Sequence, residues 1–125
     1  MKERSFQTTF SHWLKSVHKQ TGAFELKVAK NESLPFSAVA PHQLQALEQV
    51  RYGVFVFKIP DCGFQNGFDC FSMVRQPAWI VIKYTKFFCL ISIDVFLLEK
   101  DRSKRKSLTA SRAVEIASEV IHSCK

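Results

Sequence analysis

Between Trp79 and Ile93, two strand-length apolar runs, Trp79 to Tyr84 and Phe87 to Ile93, stand on either side of Thr85-Lys86. Both runs are rich in β-branched and aromatic residues, and a two-residue break between them is hairpin spacing. A chain with such a hairpin has to build a sheet and cover it. Phe6, Phe10, Trp13, Leu14 and Val17 recur at helical spacing and form one wide apolar stripe. Thr21-Gly22 ends that helix, with the glycine suited to a left-handed cap. Pro41 opens a second helix at the position where its missing N–H costs nothing; Leu44 and Leu47 form its inner face and Gly53 ends it. Val54 to Ile59 and Phe68 to Met73 read as strands around a polar loop from Pro60-Asp61 to Asn66-Gly67. Asp94 is expected to cap a short helix over Val95 to Glu99. A basic connector spans about 100–107, and a C-terminal helix about 109–122 carries Ala110, Ala113, Val114, Ala117 and Ile121 on one stripe. This order predicts an α/β protein, a mixed sheet flanked by helices, folded as a single domain over residues 1–125.

Charge narrows the partner. The chain holds 18 Lys and Arg against 11 Asp and Glu, a net +7, which favours an anionic partner such as nucleic acid or an acidic membrane surface. The apolar stretch Phe87 to Leu98 is interrupted by Ser92 and Asp94 and is too short to span a bilayer. The polar, charged start has no apolar core behind it, so the expected setting is reducing and cytoplasmic, with no membrane. Cys62, Cys70, Cys89 and Cys124 form no CxxC pair, and His12, His18, His42 and His122 show no metal-binding spacing, which argues against zinc. No Gly-x-Ser-x-Gly and no glycine-rich phosphate loop occurs. The many phenylalanines and Trp79 are expected in the core rather than as stacking platforms for bases.

The segment Ala23 to Val28 carries the chemistry. Its side chains alternate, with Phe24, Leu26 and Val28 on one face and Glu25 and Lys27 on the other. A carboxylate can bind a hard cation such as Mg²⁺, and a neighbouring ammonium can orient water and offset phosphate charge. Phosphodiester hydrolysis needs both functions at one phosphorus atom. The same alternation also describes a solvated strand face with a weak ion pair. Five cations, Lys100, Arg102, Lys104, Arg105 and Lys106, form a second feature, either a DNA backbone contact or a soluble connector.

Glu25-Leu26-Lys27 is followed by Leu34-Pro35-Phe36-Ser37, Val39, His42-Gln43 and Leu47, and later by Phe68-Asp69-Cys70-Phe71 and Ala78 to Tyr84. This series resembles the Holliday junction resolvase family that includes recombination protein U and its phage relatives. The likeness runs over roughly residues 3–115 and is most specific from Glu25 to Leu47. It implies a restriction-endonuclease-like fold and a homodimer that cuts branched DNA with Mg²⁺, or Mn²⁺ in its place, in a bacterial or phage-infected cell. By the same resemblance Glu25 is a metal ligand, Lys27 the catalytic lysine, and Gln43 a helix residue turned back towards them. Glu3 matches a helix-borne glutamate beside the metal and also suits a helix N-terminus by charge alone. The family motif has an aspartate before the E-x-K strand, and here no acid lies between Arg4 and Phe24. A second acid is therefore expected from Glu3 or Asp69, with Asp61 read as a turn residue. The alternative is a non-catalytic DNA-binding module on the same scaffold. The C-terminal helix stripe or the face around Phe87 to Phe96 is expected to form the dimer contact.

Overall fold

A computed structural model describes residues 2–15, 22–58 and 70–122. The predicted hairpin forms the middle of a four-stranded sheet. β5 (Ala78–Lys83) and β6 (Phe87–Ser92) pair antiparallel, and Tyr84 N–H donates to Phe87 C=O at 2.8 Å to close the two-residue turn. β1 (Ala23–Val28) lies parallel to β5, and β8 (Glu119–His122) lies antiparallel to β6, giving the order β1-β5-β6-β8. Parallel neighbours need a crossover, and the chain between β1 and β5 supplies it through α2 (Pro41–Tyr52). Two small antiparallel ribbons complete the strands: β2 (Ser33–Pro35) with β7 (Ser107–Thr109), and β3 (Val54–Lys58) with β4 (Cys70–Val74). The protein is thus a single small α/β domain, a mixed sheet flanked by helices.

The apolar runs of β5 and β6 look continuous because both sheet faces are covered. On one face, α1 (Glu3–Trp13) lays Phe6 and Phe10 over Val81, Phe88 and Leu90, with Phe24, Leu26, Val28, Trp79 and Ile121 around them. On the other, α2 contributes Leu44, Leu47 and Val50 and packs with α3 (Ile93–Arg102) and α4 (Ala110–Ile116) over Ile80, Ile82, Cys89 and Ile91. The expectation of an aromatic core holds, and Trp79 stacks on Phe24 at 5.1 Å between ring centroids. The Cys89 thiol is fully buried, and burial pushes its pKa up to about 12, so it is no nucleophile. Tyr84, equally buried, satisfies its hydroxyl by donating to Leu108 C=O at 2.9 Å.

Turns are tied together by side chains. Asn31 and Glu32 both have positive φ, at 54° and 59°, a conformation that costs energy for residues with a Cβ. Glu32 is held there because its carboxylate accepts the Thr85 N–H at 2.8 Å. That bond, with Lys86 and Lys83 nearby, keeps its pKa below the usual carboxylate range. The buried Lys83 donates to Thr85 C=O at 3.3 Å.

Four sequence expectations change. Gly22 does not adopt a left-handed cap; an added Cβ would sit 2.7 Å from Pro77 O and 2.9 Å from the Trp79 ring. Glycine is required there by close approach to the β5 entry, and the predicted helix end at Thr21 lies outside the described residues. Gly22→Ala is expected to destabilise the fold by about 1–3 kcal/mol through overpacking, read as a lowered denaturant midpoint at unchanged slope.

Asp94 is not the cap of α3. Ser92 is, accepting the Val95 N–H at 3.3 Å, and this starts the helix at Ile93 and carries it to Arg102. The start of the basic connector, through Arg102, is therefore helical. The expected C-terminal helix stops at Ile116. Ser118 then donates to Leu90 C=O through its backbone N–H (2.9 Å) and its hydroxyl (3.0 Å), turning the chain onto the edge of β6. Val120 and Ile121 face opposite sides of the sheet, as neighbours on a strand must, so the stripe holds only as far as Ala110, Ala113 and Ala117, which pack on the core, and does not extend to Ile121. The face proposed for a dimer contact is also spent: Leu90, Ile91, Ile93 and Phe96 are fully buried within the chain's own core.

Candidate active site

β1 is anchored by Phe24, Leu26 and Val28 under α1, which sends Glu25 and Lys27 to the face covered by α2. There α2 begins. Gln43, in its first turn, accepts the Ala40 N–H through Oε1 at 2.9 Å, satisfying one of the amide donors that a helix start leaves open. This bond fixes the amide's orientation. Its Nε2 then donates to Glu25 Oε1 at 2.9 Å. Lys27 Nζ lies 3.4 Å from the same oxygen. Three residues from a strand and a helix, 18 positions apart in sequence, thus meet at one carboxylate, as the resemblance implied for Gln43.

The site is partly open. The Glu25 side chain keeps 27% of its surface and Lys27 15%, enough for a substrate oxygen to reach them while the dielectric stays below that of water. Both contacts on Glu25 fall on Oε1. A partly exposed carboxylate of this kind suits a hard divalent ion, which commonly takes one or two carboxylates and completes its shell with water and substrate phosphate. Among the described residues, no three His, Cys, Asp or Glu side chains come together as a metal-binding group.

The other candidates are placed as follows. Glu3 opens α1, which packs on the opposite face of the sheet, and no described hydrogen bond or ion pair joins it to Glu25. Asp69 and Asp61 lie outside the described residues. Lys100 and Arg102 are exposed on the last turns of α3, and Lys104, Arg105 and Lys106 are exposed on the turn that follows. Lys104 and Arg105 border a surface cleft of about 520 Å³ with Ser103, Ser111 and Arg112. Arg112 is already committed: it forms two bonds to Glu99, at 2.8 and 3.0 Å, and one to Glu115 at 2.7 Å. The Arg112 hydrogen bond holds the Glu99 carboxyl below its ordinary range.

The basic turn and the Glu25 group share a structural support. Lys106 C=O accepts the Phe36 N–H at 3.0 Å where β7 meets β2, and Phe36 leads within a few residues to Ala40 and Gln43. Sequence inspection did not single out Tyr52, Arg51 and Arg75. Tyr52 donates a hydrogen bond to Asp94, and Arg51 approaches the same carboxylate at 3.7 Å; 42 positions separate Tyr52 from Asp94, so no local pattern signals the link.

No family model, curated protein or solved structure matches the chain. Among the described residues, no helix is long and apolar enough to cross a membrane.

Proposed function

We propose that this protein is a Mg²⁺-dependent endonuclease that cuts phosphodiesters in branched DNA, with four-way junctions as the first substrate, on a restriction-endonuclease-like scaffold and as a homodimer. One observation carries the proposal. Glu25, Lys27 and Gln43 converge on a partly open strand face, and the Glu25 carboxylate they hold there is the group a divalent ion would take. A bound Mg²⁺, with Mn²⁺ as a substitute, would supply Lewis-acid polarisation of the phosphoryl oxygen and a more acidic water.

The chain's own residues do the rest. Gln43 holds Glu25 in one rotamer, so the carboxylate is pre-aimed before substrate arrives. Lys27 brings a positive charge to the place where a phosphorane-like transition state gathers negative charge. Hydrolysis then forms a bond from a water oxygen to phosphorus as the bond to the leaving sugar oxygen breaks, with the leaving oxygen taking up a proton. The exposed cations Lys100 to Lys106 supply sequence-independent backbone contacts, so selectivity rests on DNA shape.

No group of three or more His, Cys, Asp or Glu side chains able to hold a metal occurs among the described residues, and this favours a second reading, a DNA-binding module without catalysis. A nicking assay on a synthetic four-way junction in Mg²⁺ and Mn²⁺, run beside the matching linear duplex, separates the two. The proposal expects metal-dependent nicks in the junction well ahead of the duplex. Tight binding without cleavage in either metal supports the module, and equal cutting of both DNAs contradicts the preference for branches. Binding should weaken with salt, by about −0.9 in log–log slope for each phosphate contacted on duplex arms.

A further inference from the structure

The five cations of the basic run do not share one setting. Lys104 and Arg105 border the cleft of about 520 Å³ beside α4, whereas Lys100 and Lys106 lie outside its lining. The backbone that carries the pair is fixed at both ends. Ser103 N–H donates to Glu99 C=O at 2.8 Å, closing α3, and Lys106 C=O accepts the Phe36 N–H at 3.0 Å where β7 joins β2. Between these ties, Ser103 Oγ accepts the Arg105 N–H at 3.1 Å. A pinned backbone spares a ligand much of the ordering cost that a mobile connector would impose on binding.

The cleft is rich in hydrogen-bond donors. Ser103 and Thr109 each accept a backbone N–H, from Arg105 and from Arg112, so each hydroxyl keeps its own proton to give. Ser107 and Ser111 add two more hydroxyls. The two carboxylates of the lining, Glu99 and Glu115, are both bonded to Arg112, Glu99 at 2.8 and 3.0 Å and Glu115 at 2.7 Å. Among the described residues, Lys104 and Arg105 take part in no ion pair. The balance stays positive with every acid counted: over residues 99–115, six Lys and Arg stand against three Asp and Glu. The nearest acid on the neighbouring turn is engaged elsewhere. Glu32 receives the Ala110 N–H on its C=O but turns its carboxylate to the Thr85 N–H, with Lys86 and Lys83 close by.

We infer that this cleft is a preformed seat for one backbone phosphate of DNA. Lys104, Arg105 and the Ser103 and Thr109 hydroxyls are its donors. Arg112 is a positioning residue that keeps Glu99 and Glu115 from repelling the anion. A phosphodiester offers acceptor oxygens and a negative charge, which answers a surplus of donors; a neutral or cationic ligand would leave Lys104 and Arg105 unanswered. The chain's net charge of +7 favours a polyanion over a single phosphate ion. The inference rests on the DNA-binding part of the proposed function, is independent of catalysis, and gives two of the five cations a fixed task that the others lack.

Fluorescence anisotropy in Ca²⁺ with a labelled four-way junction tests it by comparing two double variants of equal charge. Lys104→Ala with Arg105→Ala should weaken binding about ten-fold or more, the loss expected for a charged hydrogen-bonded contact. It should also make the log–log salt slope shallower by about 0.9, one phosphate's worth. Lys100→Ala with Lys106→Ala, from the same run, should cost about three-fold or less, as exposed charges do. Equal losses would mean that the run acts as undivided charge, and would overturn the inference; so would wild-type protein that binds no DNA. Arg112→Ala should weaken binding about three-fold or more, by uncovering both carboxylates. Adding Glu99→Gln and Glu115→Gln should restore it, which a purely structural role for the arginine would not allow; failure to restore removes Arg112 from the site. Should the Lys104–Arg105 double variant fail to fold, amide NMR on the wild-type protein decides. A short duplex should shift the Ser103, Arg105 and Ser111 amides ahead of Lys100, and inorganic phosphate at the same concentration should not. Equal shifts with inorganic phosphate would identify a free-phosphate site, and no shift at these amides would leave no site; either overturns the seat for DNA. Selective loss of binding in the cleft variant, with no metal-dependent cleavage by the wild type, would remove the nuclease reading and leave this inference in place.

Discussion

Glu25→Gln should lower metal-dependent cleavage of a four-way junction by about 10³-fold or more, with junction binding in Ca²⁺ nearly unchanged. The substitution keeps the shape of the side chain and removes its charge. Gln43 can still donate to the new amide oxygen, so the strand and the start of α2 should stay in place. What is lost is the negative charge of the carboxylate. Lys27→Met should cost about 10²–10⁴-fold in the cleavage rate, because it removes the positive charge beside the reacting phosphate. Both variants should melt within a few degrees of wild type, since the Glu25–Lys27 pair is partly exposed and loose at 3.4 Å, and pairs of that kind contribute little to stability. Full activity in either variant, measured as single-turnover nicking, would remove the residue from the mechanism.

The second large effect concerns the fold. Phe10 is 3% exposed and stands at the centre of the α1 face, with ring centroids 5.2 Å from Phe24, 5.7 Å from Trp13, 6.0 Å from Phe88 and 6.2 Å from Phe6. Phe10→Ala should destabilise the protein by about 3–5 kcal/mol, from lost burial plus a cavity that four rigid rings cannot collapse into. Against a total stability of about 5–15 kcal/mol, that is enough to lower the thermal midpoint by roughly 10–20 °C. A circular-dichroism melt checks it. A loss below about 1 kcal/mol would mean that α1 is a loose appendage to the sheet. The effect reaches the site as well, because α1 seats Phe24 and Leu26, and those residues aim Glu25 and Lys27 at the opposite face.

Much of this architecture was legible because local pattern and burial agree. The alternation of Ala23 to Val28 assigned faces correctly, and Pro41 and Gly53 marked the ends of α2. The β5–β6 hairpin followed from two β-rich runs about a two-residue turn. What failed depended on distant partners. Ala113, Val114 and Ala117 continue at helical spacing towards Ile121, but the edge of β6 offers Leu90 C=O to Ser118, and pairing there outweighs a weak helical stripe. β7 has only three residues and exists because β2 lies opposite it. Asp94 looked like a helix cap by position, whereas Ser92 sits where the first free N–H can reach a hydroxyl.

At the site, the Glu25–Lys27 pair came from strand period alone, while the contribution of Gln43 came from resemblance, since no periodicity tells which strand a helix start will touch. The link of Tyr52 and Arg51 to Asp94 gave no signal because it crosses from α2 to α3.

The direct measurement is an electron paramagnetic resonance titration of Mn²⁺ into wild-type protein and Glu25→Gln, each bound to an uncleaved junction. A divalent ion seated on Glu25 predicts one tightly held Mn²⁺ per active centre in the wild type and its loss in the variant, with the rest of the fold unchanged by circular dichroism. Equal Mn²⁺ uptake by the two proteins, or none by either, would contradict a metal centre at this carboxylate.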